Sequence, residues 1–260
     1  MMIKKYFPVL LFIFFSAISI AQEGTRNSDA AGKTISGKVC LIPFEPKLYM
    51  SEIDQKINQQ TKWEWETIRE NFRHQLDMQL IQKLQGKSTV VSFYADSAKM
   101  SKDLEYTYKS TSLSYDPVGK PTEAKAVTKK ISGISNGQIT VEQNSDKKFM
   151  NTKLTNTEVL SYLNKKYASE YFIFINELDI KNDMNSYDIA SDTYLRQVVV
   201  HYSILDKTGK TMAAGISTSS FSSKENAPKK IVAQCFSPIA ADIAGKFISL
   251  VNPIPAPSKN

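Results

Sequence analysis

Two histidines, two cysteines and a run of carboxylates are the residues of this 260-residue chain whose chemistry must be weighed first. His74 and His201 are the candidates for a general base. His74 falls half a turn from the apolar stripe of its predicted helix, which puts it on a solvated face. His201 sits in an alternating stretch, RQVVVHYSIL, on the more polar side with Gln197 and Ser203. No Gly-x-Ser-x-Gly elbow accompanies either histidine. Cys40 and Cys235 lie in apolar surroundings, without the exposure and adjacent base that a thiolate nucleophile needs. No catalytic residue is assigned.

Glu177, Asp179, Asp183, Asp188 and Asp192 fall in a polar stretch that could offer oxygen ligands to calcium. Their spacing is not that of an EF-hand, and the stretch lacks the glycine such a turn requires. It reads as a solvated acidic loop. Zinc sites built from Cys and His fail on count and spacing, and there is no glycine-rich phosphate loop. Neither a metal nor a cofactor is expected. Carboxylates that cleave glycosides need not be close in sequence, so a hydrolase acting on envelope polymer stays an alternative.

The amino terminus indicates export. Lys4 and Lys5 precede an uncharged apolar run that ends Ser19-Ile20-Ala21, the small-x-small pattern of a signal peptide. Cleavage is expected between Ala21 and Gln22, giving a periplasmic or secreted protein. The residue right after the cleavage point is Gln22 and not a cysteine, so it is not expected to be a lipoprotein. No later segment reads as an integral membrane span. Loss of Lys4 and Lys5 lowers the formal charge from +7 to about +5. The lysines are scattered and arginine is scarce, which excludes a nucleic-acid footprint. Export also permits a disulfide. Cys40 and Cys235 read either as two small buried apolar side chains or as a bridge closing a loop of about 195 residues.

The elements that would position these groups follow from periodicity. Residues 1–21 are the leader, 22–34 a disordered linker, 35–251 one domain with an insertion or flap at about 115–150, and 252–260 a proline-rich tail. Strands are expected at 35–44, 89–94, 171–178, 196–205 and 211–221. Residues 179–192 read as the loop that carries the carboxylates. A capping box, Thr61 to Glu64, predicts the start of a long helix with Trp65, Ile68, Phe72, Leu76 and Leu80 inward. Trp63 lies off that stripe, either under the preceding loop or exposed. Helices also follow Asp96 and Thr155, and Asn136-Gly137 suggests a hairpin in the insertion. The last helix presents Val232, Cys235, Phe236, Ile239, Ile243, Phe247 and Leu250 on one side, with a kink at Pro238. The fold class is α/β (α+β): a single mixed β-sheet flanked by amphipathic helices, closing in a β-hairpin plus helix.

The segment VCLIPFEPKLYMSEID, followed by IRENFRHQLDMQLIQKL, resembles exported Bacteroidetes proteins of unassigned activity. More distantly, the order of elements is similar to the periplasmic α/β module of the TolB amino-terminal domain, CsgG and LpoB. The likeness rests on the V-x-L-I-P-F strand, the long helix, YFIFINEL, the hairpin VVVHYSILDKTGKTMAAG and the closing helix. It implies a non-enzymatic envelope role in docking or assembly, with envelope proteins as partners, and assigns no functional residue. The lipidation cysteine of the lipoproteins is absent, and no membrane-inserting hairpin is evident. A third alternative is a small-ligand or glycan-binding module. The rigid bend through Pro43 and Pro46 places Phe44, Lys47 and Tyr49 at the carboxyl end of a central strand, where open α/β sheets bind ligands. Those three are the expected partner-binding residues.

Overall fold

A computed structural model describes residues 37–95, 97–118, 134–135, 138–139 and 148–252. The leader, the cleavage point at Ala21 and Gln22, the linker, the Asn136-Gly137 turn and the tail from 253 lie outside the described residues. In chain order the elements are β1 (Lys38–Ile42), β2 (Tyr49–Ser51), α1 (Asp54–Thr61), α2 (Trp65–Leu84), β3 (Thr89–Ser92) and α3 (Ser97–Lys109). Then come β4 (Thr111–Pro117), β5 (Ile134–Ser135), β6 (Gln138–Ile139), β7 (Lys148–Leu154) and α4 (Glu158–Tyr167). The chain continues through β8 (Ser169–Asp188), β9 (Thr193–Asp206), β10 (Thr211–Ser222), α5 (Pro228–Ile231), a π turn (Val232–Phe236) and α6 (Ser237–Val251).

The principal sheet is mixed, in the order β10-β9-β8-β1-β3, with β2 also pairing β8. β1 runs parallel to both β3 and β8, whereas β8, β9 and β10 are antiparallel. Val39 to Ile42 are all buried, as a parallel strand covered on both faces requires. On one face α2 and α6 bring Ile68, Phe72, Leu76, Ile239 and Phe247 against Val39 and Leu41. On the other, α4 sets Val159, Leu160 and Leu163 against Cys40, Ile42 and Phe174.

The proline bend is an excursion of the strand. β1 stops at Ile42, a 3-10 turn spans Pro46–Leu48, and β2 returns to the same neighbour, pairing Tyr49 with Leu178. Pro43 cannot donate to the ladder, so the strand breaks there and restarts beyond the turn.

Thr61 does not cap α2. It ends α1, where its hydroxyl donates to the Ile57 carbonyl at 2.9 Å and accepts from Trp63 N at 3.1 Å. Such back-bonding to residue i−4 competes with a role as N-cap, and Lys62 then turns the chain with a φ of 63°. α2 therefore starts one turn late. Trp65 is 54% exposed, with Arg69 over its ring at 4.7 Å, and the inward stripe begins at Ile68. Trp63 instead packs against the core.

The acidic loop is also revised. β8 continues to Asp188 and stays paired with β9 out to Asp188 and Thr193, so these carboxylates stand on a long β-arm. Before α6, the π turn ends next to Pro238, whose missing N–H the wider turn accommodates without rotating the packed face. The segment Pro228–Val251 is long and apolar enough to cross a membrane, and half of its apolar 18-residue stretch is buried inside the protein. Leu250, at its outer end, is exposed.

Cys40 and Cys235 are both free. Cys40 packs on the α4 side and donates to Ser169 Oγ at 3.0 Å, while Cys235 belongs to the core under α2 and α6. The sheet lies between them, so a bridge is geometrically barred.

Candidate functional site: a cleft on the open sheet face

β4 and β7 pair into a two-stranded ribbon at the base of the expected flap. The ribbon lies across β8 and β9, and sheet side chains take the place of a neighbouring strand. Met150 N donates to His201 Nδ1 at 2.8 Å, and Thr152 N donates to Ser203 Oγ at 3.1 Å. Asn176 Nδ2 donates to the Met150 carbonyl at 2.7 Å and to Ser203 Oγ at 2.8 Å. Thr152 Oγ1 completes the set by donating to Asn176 Oδ1 at 2.6 Å. Buried backbone groups need such partners. The polar side of β9 is thus a buried attachment surface, and His201 is 4% exposed.

A β-bulge aims the carboxylates. Ile173 and Ile175 face the α2/α6 core, and so do Leu178 and Ile180. Two-residue alternation cannot include both pairs unless the register slips, and it slips between Ile175 and Glu177. Asn176 is the extra residue. Glu177 and Asp179 consequently point to the ribbon side, with Glu177 directly opposite His201. Without the bulge both carboxylates would enter the apolar core.

Glu177 is sealed. Its residue is 1% exposed, and the Tyr115 hydroxyl lies 2.8 Å from each of its carboxylate oxygens. Burial, then the neighbouring charge of Asp179, push its carboxyl up to about 6. Burial and Glu177 together push the Tyr115 hydroxyl well above its ordinary value. Asp179 is nearer the opening. Its Oδ2 stands 3.7 Å from His201 Nε2, and its Oδ1 is buried without a hydrogen-bond partner among the described residues. Beyond the ribbon none of the described residues covers the sheet face, leaving a cleft of about 840 Å³ lined by Tyr115, Lys148, Asp179, Gln197, His201 and Thr218.

Glu177, Asp179 and His201 offer ligand atoms within 4.8 Å of one another, the spacing of a metal site. The histidine does not fit one. A neutral imidazole has one acceptor nitrogen, and His201 uses Nδ1 to accept from Met150 N. Its hydrogen is therefore on Nε2, facing Asp179. Ligation through Nε2 would require moving that hydrogen to Nδ1, against the Met150 N–H. The same lock removes His201 as a general base toward the cleft.

The expected partner residues do not form a surface. Phe44 is buried, and Tyr49 packs on Phe72 and donates to Asp54 Oδ1 at 2.7 Å. Lys47 is exposed and pairs with Glu45 at 2.7 Å. Of the remaining carboxylates, Asp183 accepts from Gln197 Nε2 at 3.0 Å beside the cleft. Asp188 and Asp192 hold the tip of the arm through Ser191 and Tyr187. His74 is exposed as expected and stacks on Tyr94 at 5.4 Å. Tyr115 and Lys148 were not legible as site residues, because the ribbon brings them in from a segment read as a flap. Asn176, a polar residue inside an apolar run, was the available signal for the bulge.

No family model and no curated protein matches the chain. Among solved structures, a hypothetical protein from Chlamydia trachomatis aligns at a TM-score of 0.40 and 10% identity, over 83% of this chain and 98% of that one. A candidate lipoprotein from Caulobacter crescentus aligns at 0.20 and 16% identity, over 37% of this chain and 81% of its own. Neither likeness is close enough to carry an argument about what this chain does.

Proposed function

We propose that this protein is an exported envelope module that binds a polar ligand in the cleft over β8, β9 and β10 without transforming it. One observation carries the reading: a buried carboxylate oxygen, Asp179 Oδ1, has no hydrogen-bond partner among the described residues, and its residue lines a cleft of about 840 Å³. Buried acceptors are nearly always paired, and an unpaired one beside a ligand-sized cavity suits a ligand that donates a hydrogen bond. Catalysis is disfavoured by the same geometry. Glu177 is closed off by Tyr115, and His201 presents a bound hydrogen instead of a lone pair. Of the cleft's other carboxylates, Asp183 already accepts from Gln197 Nε2 at 3.0 Å, so Asp179 lacks a free partner for the two-carboxyl chemistry of glycoside cleavage.

The test is to incubate the purified protein with soluble fragments of envelope polysaccharide and peptide, following binding by calorimetry and the ligand by mass spectrometry. Saturable binding with the ligand recovered intact is the expected result. Accumulation of cleaved fragments would favour the hydrolase instead.

A second reading, docking to another envelope protein, has its own support. The arm exposes Met184, Tyr187 and Ile189, the last at 85%, and a cluster of exposed apolar residues suits a protein contact. Met184 also lines the cleft, so replacing only Tyr187 and Ile189 with serine separates the readings: it should leave cleft binding intact and abolish capture of an envelope protein.

A further inference from the structure

The cleft floor also indicates the chemistry of its ligand. We infer that it is a polyhydroxylated molecule, a saccharide, with one hydroxyl seated between the His201 imidazole and the Asp179 carboxylate; this rests on the binding reading above. His201 carries its hydrogen on Nε2, because Nδ1 accepts from Met150 N. The nearest acidic oxygen to that nitrogen, Asp179 Oδ2, is 3.7 Å away, beyond hydrogen-bond range. Asp179 Oδ1 is buried and receives no hydrogen bond from the described residues. The floor thus sets an unmet donor beside an unmet acceptor.

A hydroxyl answers both with a single oxygen, accepting from Nε2–H and donating to the carboxylate. An ammonium group only donates, so it leaves the imidazole hydrogen unanswered. A carboxylate only accepts, and it would meet the charge of Asp179. A metal cation would face the Nε2 hydrogen. The surroundings suit a sugar as well. Asp183 holds the Gln197 amide nitrogen at 3.0 Å, which orients its carbonyl, and Thr218 adds a hydroxyl. Tyr115, half exposed, forms an aromatic wall against which the C–H face of a pyranose can lie. Lys148 and Lys181 stand exposed around the opening and balance Asp179 and Asp183. The cleft is therefore not strongly of one sign, which suits a neutral ligand.

The experiment screens the full-length chain, purified from an exporting host, against an array of neutral oligosaccharides, with cadaverine and glutarate as cationic and anionic comparators. Hits are measured by calorimetry with and without EDTA. At least one oligosaccharide should bind, insensitive to EDTA. Asp179→Leu should weaken it at least tenfold. His201→Asn should do the same with an unchanged melting temperature, because the Asn carbonyl can still accept from Met150 N while the Nε2 donor is gone. A sugar analogue lacking the seated hydroxyl should lose a similar factor on wild type and nothing further on His201→Asn. A blank array with cadaverine or glutarate bound would overturn the saccharide while sparing the cleft. Binding abolished by EDTA would transfer the floor to a metal and overturn the inference. If none of the three classes binds, the cleft reading falls with it.

Discussion

Two places on this sheet compete for a ligand, and they differ in what their polar groups already hold. The first is the carboxyl end of β1, beside β8, where the strand order reverses and open α/β sheets usually bind. Here the chain fills its own crevice. Arg73 Nε donates to the Phe44 carbonyl at 2.9 Å, Tyr108 donates to the Pro43 carbonyl at 2.6 Å, and Arg73 Nη2 donates to the Tyr108 hydroxyl at 3.0 Å. The voids left are about 10 and 20 Å³, room for a single water. The second place is the β8–β9–β10 face beyond the ribbon, not covered by any of the described residues and floored by groups with unspent hydrogen-bonding capacity among them. A switch point is a place to look, and the pairing of its polar atoms decides whether anything can bind there.

The largest expected effect comes from breaking the plugged crevice. Arg73→Ala removes two hydrogen bonds to main-chain and phenol oxygens and takes the nearby cation away from buried Asp77. Charge-assisted bonds and stranded buried charges of this kind are worth about 3 kcal/mol. Urea unfolding should show that loss, while affinity in the cleft stays within twofold. A variant of normal stability that no longer binds would mean the crevice, not the cleft, is the site.

A smaller effect belongs to the cleft. Glu177 has its folded value raised from 4.5 to about 6, so the folded state holds that proton more tightly than the unfolded chain. The resulting stability is fully present below pH about 4.5 and is lost as pH rises through about 6, a change of about 2 kcal/mol. Glu177→Gln should flatten the stability curve over that window relative to wild type. Asp77, also raised to about 6 by burial, keeps its own slope in both proteins, so the difference between them isolates Glu177. Parallel curves would mean that Glu177 is better solvated than its burial under Tyr115 implies.

How far the sequence reaches can be argued from the same residues. The alternation of Val198, Val200, Tyr202 and Ile204 against Gln197, His201 and Ser203 was legible, and the four apolar residues do face one core. What covers the polar face was not, because β7 is short and mostly polar and shows its partners only in space. Glu177 and Asp179 were legible as a cluster, Glu177 near the end of a strand and Asp179 as the start of a loop and not as a strand residue. Period-two reading from Ile173 onward turns them into the core, and only the slip at Asn176 turns them out. Thr61 failed for a local reason: a hydroxyl three residues before Glu64 fits a capping box, and equally well an i−4 bond closing the helix before it. The mixed sheet with flanking helices followed from strand and helix periods, which depend on burial more than on any single contact.

The smallest expected effect tests whether the sheet truly keeps its two faces apart, as the comparison between crevice and cleft assumes. A bridge between Cys40 and Cys235 would close a loop of about 195 residues and stabilise the fold by roughly 4–5 kcal/mol. Two free thiols on opposite faces contribute nothing of the kind, and burial pushes Cys40 up to about 11, keeping it protonated and unreactive. Dithiothreitol should therefore leave the urea midpoint unchanged. A thiol reagent should titrate both cysteines after unfolding and neither in the folded protein. A reductant-dependent midpoint would require Cys40 and Cys235 on the same side of β1, and with them a different face for the ribbon and for everything the cleft is built on.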